Sequence, residues 1–493
     1  MTGFGGETLS LFFHRVRDLV KRPAVTCPPD LSVVEVARRM LRADVGSIVV
    51  TAADGRPLGI VTDRDLRRKV VAERRDAGAT TAATIMSSPV IAIQGGAFAF
   101  EAVLEMTRRE IHHLLVVDVD RPAAVVSSHD FLLLQGTHPV TLAREIGRAP
   151  SLPALAVLGG DVTRLVRRLV DEGGTAYDIG QIVAELNDRM VVRALGLTAT
   201  SLHEAGEPPP PVGYCWLALG SEARREQTLR TDQDNGLVYA DPPPEVREQA
   251  EAYYRRFAVA AVASLTTAGF PHCPAGHMAS TPRWCQPVAT WVAYFRQWLD
   301  ETTPERILDA SIYFDLRPLA GDLELAAPLL DVIHGEAPKQ RIFLAMLARD
   351  VASRRLPVTL LGNVAVKRSG PRRGTVDLKG AGMLQIVGAG RLHALELGLR
   401  AVNTVDRFRA AGAQGVYREE EVREITDAFQ HLMRLRLLHQ LERIEQGEAP
   451  DNDVDPRRLS HADRLLLREA LRTVSRVQAG IRERFATDVM GGV

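Results

Sequence analysis

The pattern of apolar and polar positions repeats itself in the N-terminal part of the chain. Residues from about Pro23 to Gln135 can be laid on themselves with an offset of 65 to 66. Glu35–Met40 followed by Val45–Val50 then falls on Glu101–Met106 followed by Ile111–Val116. Each copy predicts an amphipathic helix and then a short apolar strand, because apolar residues first recur at helical spacing and then run together. Gly59-Ile-Val-Thr-Asp-Arg-Asp-Leu66 likewise falls on Ala124-Val-Val-Ser-Ser-His-Asp-Phe131, a strand running into a helix. Beyond Thr141 the pattern turns helical. Leu165, Val166 and Leu169 recur at three and four spacing, and residues 179–195 form a second amphipathic run, so the stretch to about Leu202 reads as a helical connector.

Two further apolar runs, Tyr214–Leu219 and Gly236–Ala240, bracket the segment Gly220-Ser-Glu-Ala-Arg-Arg-Glu-Gln-Thr-Leu-Arg-Thr-Asp-Gln-Asp-Asn235. It reads as strand, Gly-Ser turn, short helix and second strand, with the prolines of 208–211 and 242–244 as stiff punctuation before and after. A turn that opens a helix leaves backbone N–H groups to hold phosphate oxygens, and the small Gly220-Ser221 pair lets a triphosphate come close. Asp232 and Asp234 are two apart, so on a strand both carboxylates leave one face and can share divalent cations. Paired Mg²⁺ ions near an attacking and a leaving oxygen are what in-line nucleotidyl transfer requires.

Ser311–Pro318 predicts a third strand of this group. It brings Asp315 into an otherwise apolar run, where a lone acid is costly unless it is paired, for instance with Arg317, or bound to metal. Between these strands, a helix from Glu245 to Ala268 leads to a loop holding His272, Cys273, His277 and Cys285, whose spacing matches no zinc ligand set. From about Leu325 the chain is mostly helical, with Lys379 and Arg391 as conspicuous basic residues. Asp451–Pro456 lacks the Gly and terminal Glu of a calcium loop and reads as a turn. The closing runs Leu432–Ile444 and Ala462–Phe485 are amphipathic and are expected to pack together.

Composition narrows the class. A chain of 493 residues exceeds what one core organises, so about three domains are expected. The formal net charge is zero and no polybasic arm appears, which argues against DNA or long RNA as substrate. Four cysteines with no C-x-x-C pair indicate neither a disulfide framework nor a zinc ribbon and fit a reducing cytoplasm. Leu9–Phe13 is followed at once by His14, Arg15 and Arg17, so it reads as part of a short helix, not as a signal peptide, and no later stretch could span a bilayer.

The spacing Gly-Ser, ten residues, Asp-x-Asp resembles the polymerase-β-type nucleotidyltransferases. The longer form with Arg224, Glu226, Gln227, Thr231 and Asp-Gln-Asp-Asn resembles the branch related to PII-protein uridylyltransferases, in which a CBS pair precedes the transferase. The internal repeat resembles such a tandem CBS pair, with strand-Thr/Ser-x-x-Asp-helix as its most specific part. These resemblances imply an α+β multidomain protein: an N-terminal helix (1–22), a tandem CBS pair (23–140), a helical connector (141–206), a nucleotidyltransferase core with a mixed sheet (207–324) and a helical substrate-binding domain (325–493).

The implied reaction is transfer of a nucleoside monophosphate from an NTP to an acceptor hydroxyl, dependent on Mg²⁺ or Mn²⁺, with release of pyrophosphate. UTP and a protein tyrosine follow by analogy. Asp232, Asp234 and Asp315 would hold the metals; Gly220, Ser221, Arg224, Lys379 and Arg283, in a loop that borders the site in the family, would meet the nucleotide. In the CBS pair, Thr62 with Asp65, and Ser127 with Asp130, would take the phosphate and ribose of a regulatory adenine nucleotide, although the same hydroxyls can act as helix N-caps. The second copy has Ala124 and Ser128 where the first has Gly59 and Asp63, so the first is the stronger candidate. CBS pairs associate through their helices, which implies a homodimer. The alternative is a regulatory protein that senses adenine nucleotides and carries an idle transferase fold; intact Asp232 and Asp234 argue against it. No His-Asp hydrolase constellation is evident, so removal of the transferred group is not expected.

Overall fold

The internal repeat becomes two copies of one three-stranded sheet. The computed structural model describes residues 15–20, 22–118, 121–127, 139–229, 232–301, 303–358, 364–370 and 372–487. In the first copy β1 (Thr26–Cys27) runs parallel to β2 (Ser47–Thr51), which is antiparallel to β3 (Pro57–Thr62). In the second, β4 (Ala92–Gln94), β5 (His113–Asp118) and β6 (Arg121–Ser127) repeat that order. The correspondence extends to register: Thr26 faces Val49 where Ala92 faces Leu115, and both hairpins shift register at the same place, after Val50 and after Val116. The helices preceding β2 and β5, Val33–Ala43 and Ala99–Arg108, are each followed by a non-glycine residue at positive φ, Asp44 at 52° and Glu110 at 53°.

Strand alternation explains how the two copies share a core. Ile48 and Val50 point into the first copy with Val36, Met40 and Val61, whereas Val49, on the other face of β2, meets Leu115 and Val117 of β5. The short helix Val16–Leu19 joins this unit through Val16 N–H to Ala97 O (2.8 Å) and through the Arg15 guanidinium, 4.0 Å above the Phe98 ring. Residues 1–14 of the expected N-terminal helix lie outside the described residues.

The chain divides into residues 1–145 and 146–493. The second unit is built on a mixed sheet in the order β10-β7-β8-β9, from β7 (Tyr214–Leu219), β8 (Asn235–Tyr239), β9 (Cys285–Pro287) and β10 (Leu316–Gly321). β7 is antiparallel to both β8 and β10, and β8 and β9 are parallel. Trp291, Phe295, Trp298, Tyr313 and Phe314 fill the space against this sheet, and the Trp291 indole donates to Leu237 O at 3.0 Å.

Two expectations are corrected here. Ser311–Tyr313 end a helix, Pro304–Tyr313, and the strand starts only at Leu316. Ile307, Ala310, Tyr313 and Phe314 are buried at three and four spacing, the helical signal that the apolar run 312–314 obscured. The supposed connector is integral to the second unit. Its helices, Leu152–Asp171 and Ala176–Glu204, bury apolar faces, and the second reaches the core through polar contacts: Asn187 to Gln227 at 3.0 Å, Thr198 to Ser264 at 2.7 Å and Arg317 to Asp188 at 2.8 Å.

Helices Arg341–Ser353, Leu384–Leu397, Thr404–Ala413, Glu419–Glu445 and His461–Phe485 complete the unit, and Leu384–Leu397 is buried along most of its length. The last two pack along each other, with Arg434–Asp463 and Arg476–Glu424 pairs at their edges. Among the described residues, no helix is long and apolar enough to cross a membrane. A chain beginning at Glu207 would expose the face of the sheet and helices that Ala176–Glu204 covers. It is expected to lose cooperative thermal unfolding, whereas a chain beginning at Ile146 should unfold in one transition by calorimetry.

Candidate active site

The stretch before β8 is extended, and its alternation sorts four polar residues into two jobs. Gln233 and Asn235 face inward and anchor. The Gln233 amide donates to Thr266 Oγ1 at 3.0 Å and Phe270 O at 2.9 Å, and Asn235 Oδ1 accepts from Ala279 N–H at 2.8 Å. Backbone bonds from Gln233 N to Pro271 O (2.9 Å) and Asn235 N to His277 O (3.0 Å) lay the loop 271–277 alongside. Asp232 and Asp234 leave the other face, as the two-residue spacing requires. Burial, with the charge of Asp232 beside it, pushes the Asp234 carboxyl up to about 6. Oxygen atoms of both aspartates and the Cys273 sulfur lie within 4.8 Å of one another.

Gly220 closes the site from β7. Its φ is +54°, and a Cβ there would stand 3.3 Å from Asp234 Oδ2, so glycine both permits the left-handed turn and leaves room for the carboxylate. Its N–H, expected to face phosphate, instead donates to Asp315 O at 3.0 Å. Gly220, Ser221, Arg224, Asp234 and Lys379 line one cavity of about 250 Å³, together with Arg354, Asp350 and Arg391. Burial, then the neighbouring Arg436 charge, lowers the Lys379 pKa, against the opposing pull of the Asp232 and Asp234 charges. Arg436, buried behind it and pushed down to about 10 by that burial, also faces Asp232.

Asp315 is not with the paired aspartates. It is fully buried, and its carboxylate is held by three guanidiniums: Arg224 Nη1 at 2.5 Å and Arg391 Nη2 at 2.6 Å on Oδ2, and Arg407 Nη1 at 2.6 Å on Oδ1. Burial alone would raise its pKa, but the charges of Arg391, Arg407 and Arg224 outweigh this and hold the carboxyl far below the usual carboxylate range. Both oxygens are committed, so the expected third metal ligand is a structural hub. Arg283, expected on the nucleotide, is outside the cavity lining, paired with Asp309 at 2.8 Å and stacked 4.4 Å from the Trp284 ring.

Arg224 and Glu226 of the longer motif hold the structure together as well, and Thr231 lies outside the described residues. Arg224 Nε bonds Glu226 at 2.7 Å, Glu226 accepts from Thr404 N–H at 2.7 Å, Asn403 donates to Arg224 O at 2.9 Å, and Thr228 bonds Gln440 at 2.8 Å. These bonds dock the Gly220-Ser221 turn on the C-terminal helices. Sequence reasoning missed Cys273, Arg436 and Arg354 as parts of this neighbourhood. For Cys273 the signal is its loop of potential ligands, whose spacing fits no zinc set but brings one sulfur to the two carboxylates.

In the first unit, Thr62 and Asp65 form a reciprocal cap: Thr62 N–H and Oγ1 donate to Asp65 Oδ2 at 3.0 and 2.7 Å, and Asp65 N–H donates to Thr62 Oγ1 at 3.3 Å. Lys69 pairs with Asp65 at 2.8 Å. Burial raises the Asp65 pKa, but the bonds from Lys69 and Thr62 prevail and lower it. Both residues line a cavity of about 990 Å³ with Ile60, Arg64, Arg68 and His113. Ser127 lines a second cavity of about 370 Å³; Asp130 lies outside the described residues.

The fold and site define a multidomain α+β protein in which a tandem repeat precedes a nucleotidyltransferase-like unit. Residues 160–305 match the family described as "Putative nucleotidyltransferase DUF294", residues 341–485 match "Putative nucleotidyltransferase substrate binding domain", and residues 16–72 and 82–135 match "CBS domain". The chain belongs to this family of CBS-domain-containing proteins described as putative nucleotidyltransferases. The chain is 31% identical over 132 residues to an uncharacterized protein of Methanopyrus kandleri, covering 27% of this chain and 67% of that one. It is 29% identical over 208 residues to the inosine-5'-monophosphate dehydrogenase of Mycobacterium tuberculosis, and the match spans only 38% of either chain. A solved CBS domain protein of Pyrobaculum aerophilum complexed with AMP is 33% identical, covering 24% of this chain and 91% of that one, with a TM-score of 0.23.

Removing the hub's charge tests its assignment. Asp315→Asn leaves three buried guanidiniums without their anion and is expected to lower stability by about 3–5 kcal/mol in chemical denaturation. Because the carboxyl pKa is depressed on folding, its contribution is present above the unfolded value of about 4 and is lost as pH falls below it. The variant should therefore lack part of the acid destabilisation of the wild type.

Proposed function

We propose that the second unit catalyses transfer of a nucleoside monophosphate from an NTP to an acceptor hydroxyl, with release of pyrophosphate. The observation that carries this reading is the meeting of Asp232 and Asp234 with the Gly220-Ser221 turn and the cationic Lys379 and Arg391. The donor set fits a divalent cation: two adjacent carboxylates, one with its pKa raised by burial and by the other's charge, call for positive charge between them. Mg²⁺ or Mn²⁺ held by Asp232 and Asp234 would supply charge neutralisation for the phosphates and polarise the acceptor oxygen.

The chain's own groups account for the rest. At about 250 Å³ the cavity suits a phosphate chain better than a whole nucleotide. Ser221 can donate its hydroxyl to a phosphate oxygen, and the half-buried Lys379 amine beside the aspartates can meet the negative charge there. Arg391 has its Nε buried without a partner while its Nη2 is fixed on Asp315, so it presents an oriented donor at the cavity wall. The resemblance to PII-protein uridylyltransferases makes UTP and a protein hydroxyl the first donor and acceptor to test.

In the first unit we propose an adenine nucleotide in the cavity bearing Thr62 and Asp65, with the ribose hydroxyls on Asp65 and the phosphates toward Lys69, Arg64 and Arg68. The pair would also join two copies of the chain. A ligand that binds the active arrangement better than the idle one raises the active fraction by that affinity ratio, and substrate tightens the ligand reciprocally.

Incubation with labelled NTPs, Mg²⁺ and cell extract should label an acceptor. Asp232→Asn or Asp234→Asn should reduce that labelling by orders of magnitude with no loss in melting temperature. Full activity in both variants would remove the proposed centre. Asp65→Ala should abolish the heat of adenine-nucleotide binding in calorimetric titration and any effect of that nucleotide on rate, while basal transfer is unchanged. Wild-type binding that leaves the rate untouched would reduce the CBS pair to an association element.

A further inference from the structure

Cys273 stands where the metal set lacks a third side chain. Asp315 is unavailable, with both oxygens on arginines, whereas the Cys273 sulfur shares a 4.8 Å cluster with oxygens of Asp232 and Asp234. The sulfur lies beside the Asp234 carboxylate, and burial, together with that carboxylate's charge, outweighs the backbone N–H groups of His277 and Ala275 and raises the thiol's pKa. A cysteine kept only for packing would lie among apolar groups. This one, 7% exposed, has its sulfur turned toward two carboxylates.

Its position is enforced. Pro271 and His277, on either side, are hydrogen-bonded through their carbonyls to the amides of Gln233 and Asn235, the residues that alternate with the two aspartates. Gly276 N–H closes the turn on Cys273 O at 3.1 Å. The strand that aims the aspartates outward therefore also fixes the sulfur beside them. His277, the other potential soft ligand nearby, is engaged through Nδ1 with the Tyr313 hydroxyl at 2.9 Å.

We propose that Cys273 is the third protein ligand of the centre formed by Asp232 and Asp234, and that this Asp-x-Asp plus cysteine set favours a borderline-soft divalent cation of the Co²⁺ and Zn²⁺ class over Mg²⁺. A thiolate adds a soft donor that hard Mg²⁺ gains little from, while carboxylate oxygens serve either class. Binding forms a metal–sulfur bond and releases the thiol proton to solvent, so no oxidant or reductant is involved. The inference rests on the metal-centre reading above but is tested separately from it.

The experiment is titration of the full-length protein with Co²⁺ alone, without nucleotide, followed by absorption spectroscopy. The expected result is visible ligand-field bands accompanied by the near-ultraviolet sulfur-to-cobalt charge-transfer band. Cys273→Ser should keep the ligand-field bands and lose the charge-transfer band. Its Zn²⁺ affinity, by competition, should fall by at least the roughly 10–100-fold that loss of an outer-shell partner produces. Asp234→Asn should weaken both signals. Ligand-field bands without charge transfer in the wild type would overturn the cysteine ligand and leave the aspartate centre standing; no cobalt binding at all would remove both. Should Cys273→Ser not fold by circular dichroism, cadmium NMR of the unmodified protein decides. A resonance in the range of sulfur-coordinated cadmium supports the ligand, and one in the oxygen-only range overturns it.

Discussion

A single buried carboxylate holds the second unit's site together. Asp315 collects Arg224 from the turn after β7, Arg391 from the buried helix Leu384–Leu397 and Arg407 from the helix Thr404–Ala413. Moving any one of these ions out of water is costly by several kcal/mol, and only their mutual attraction in good geometry offsets it. None can therefore be buried unless the other segments are already in place. The sheet, the Gly220-Ser221 turn and the C-terminal helices are interdependent because the charges are.

The hub also explains why residues of the longer motif do not all turn toward the cavity. Arg224 divides its guanidinium between Asp315 and Glu226, and Glu226 in turn caps the backbone at Thr404. A motif that looks catalytic from its spacing is thus two interleaved sets: a small set, Gly220, Ser221, Asp232 and Asp234, arranged around the cavity and the proposed metal, and a larger set that holds the first at a fixed distance from helices almost two hundred residues away. The 2.0-residue period of the extended stretch 232–235 performs the same separation locally, aspartates out and amides in.

What the sequence made legible follows from how local each signal is. The CBS repeat, β7, β8 and the facing of Asp232 and Asp234 depend on short-range periodicity, and the structure carries them, although β8 begins at Asn235, just after the aspartates. The role of Asp315 depends on Arg391 and Arg407, which are 76 and 92 residues away, and no local pattern reveals such a partner. Arg317, the partner proposed from proximity, goes to Asp188. The helix ending at Tyr313 was hidden because a short apolar run fits a buried helix and a strand equally well. The connector helices looked like a linker because their partners, Gln227 and Ser264, lie in segments that follow.

The cap on Asp65 has a consequence for recognition. Thr62 and Lys69 already occupy the carboxylate. Any guest that reaches Asp65 does so by exchange, displacing an ammonium group from one oxygen while the same ammonium becomes free to follow the guest's own anion. Affinity at such a site is the difference between two nearly matched sets of bonds. Small changes in guest chemistry, such as one phosphate more or less, are thereby weighed against a fixed internal reference instead of against water.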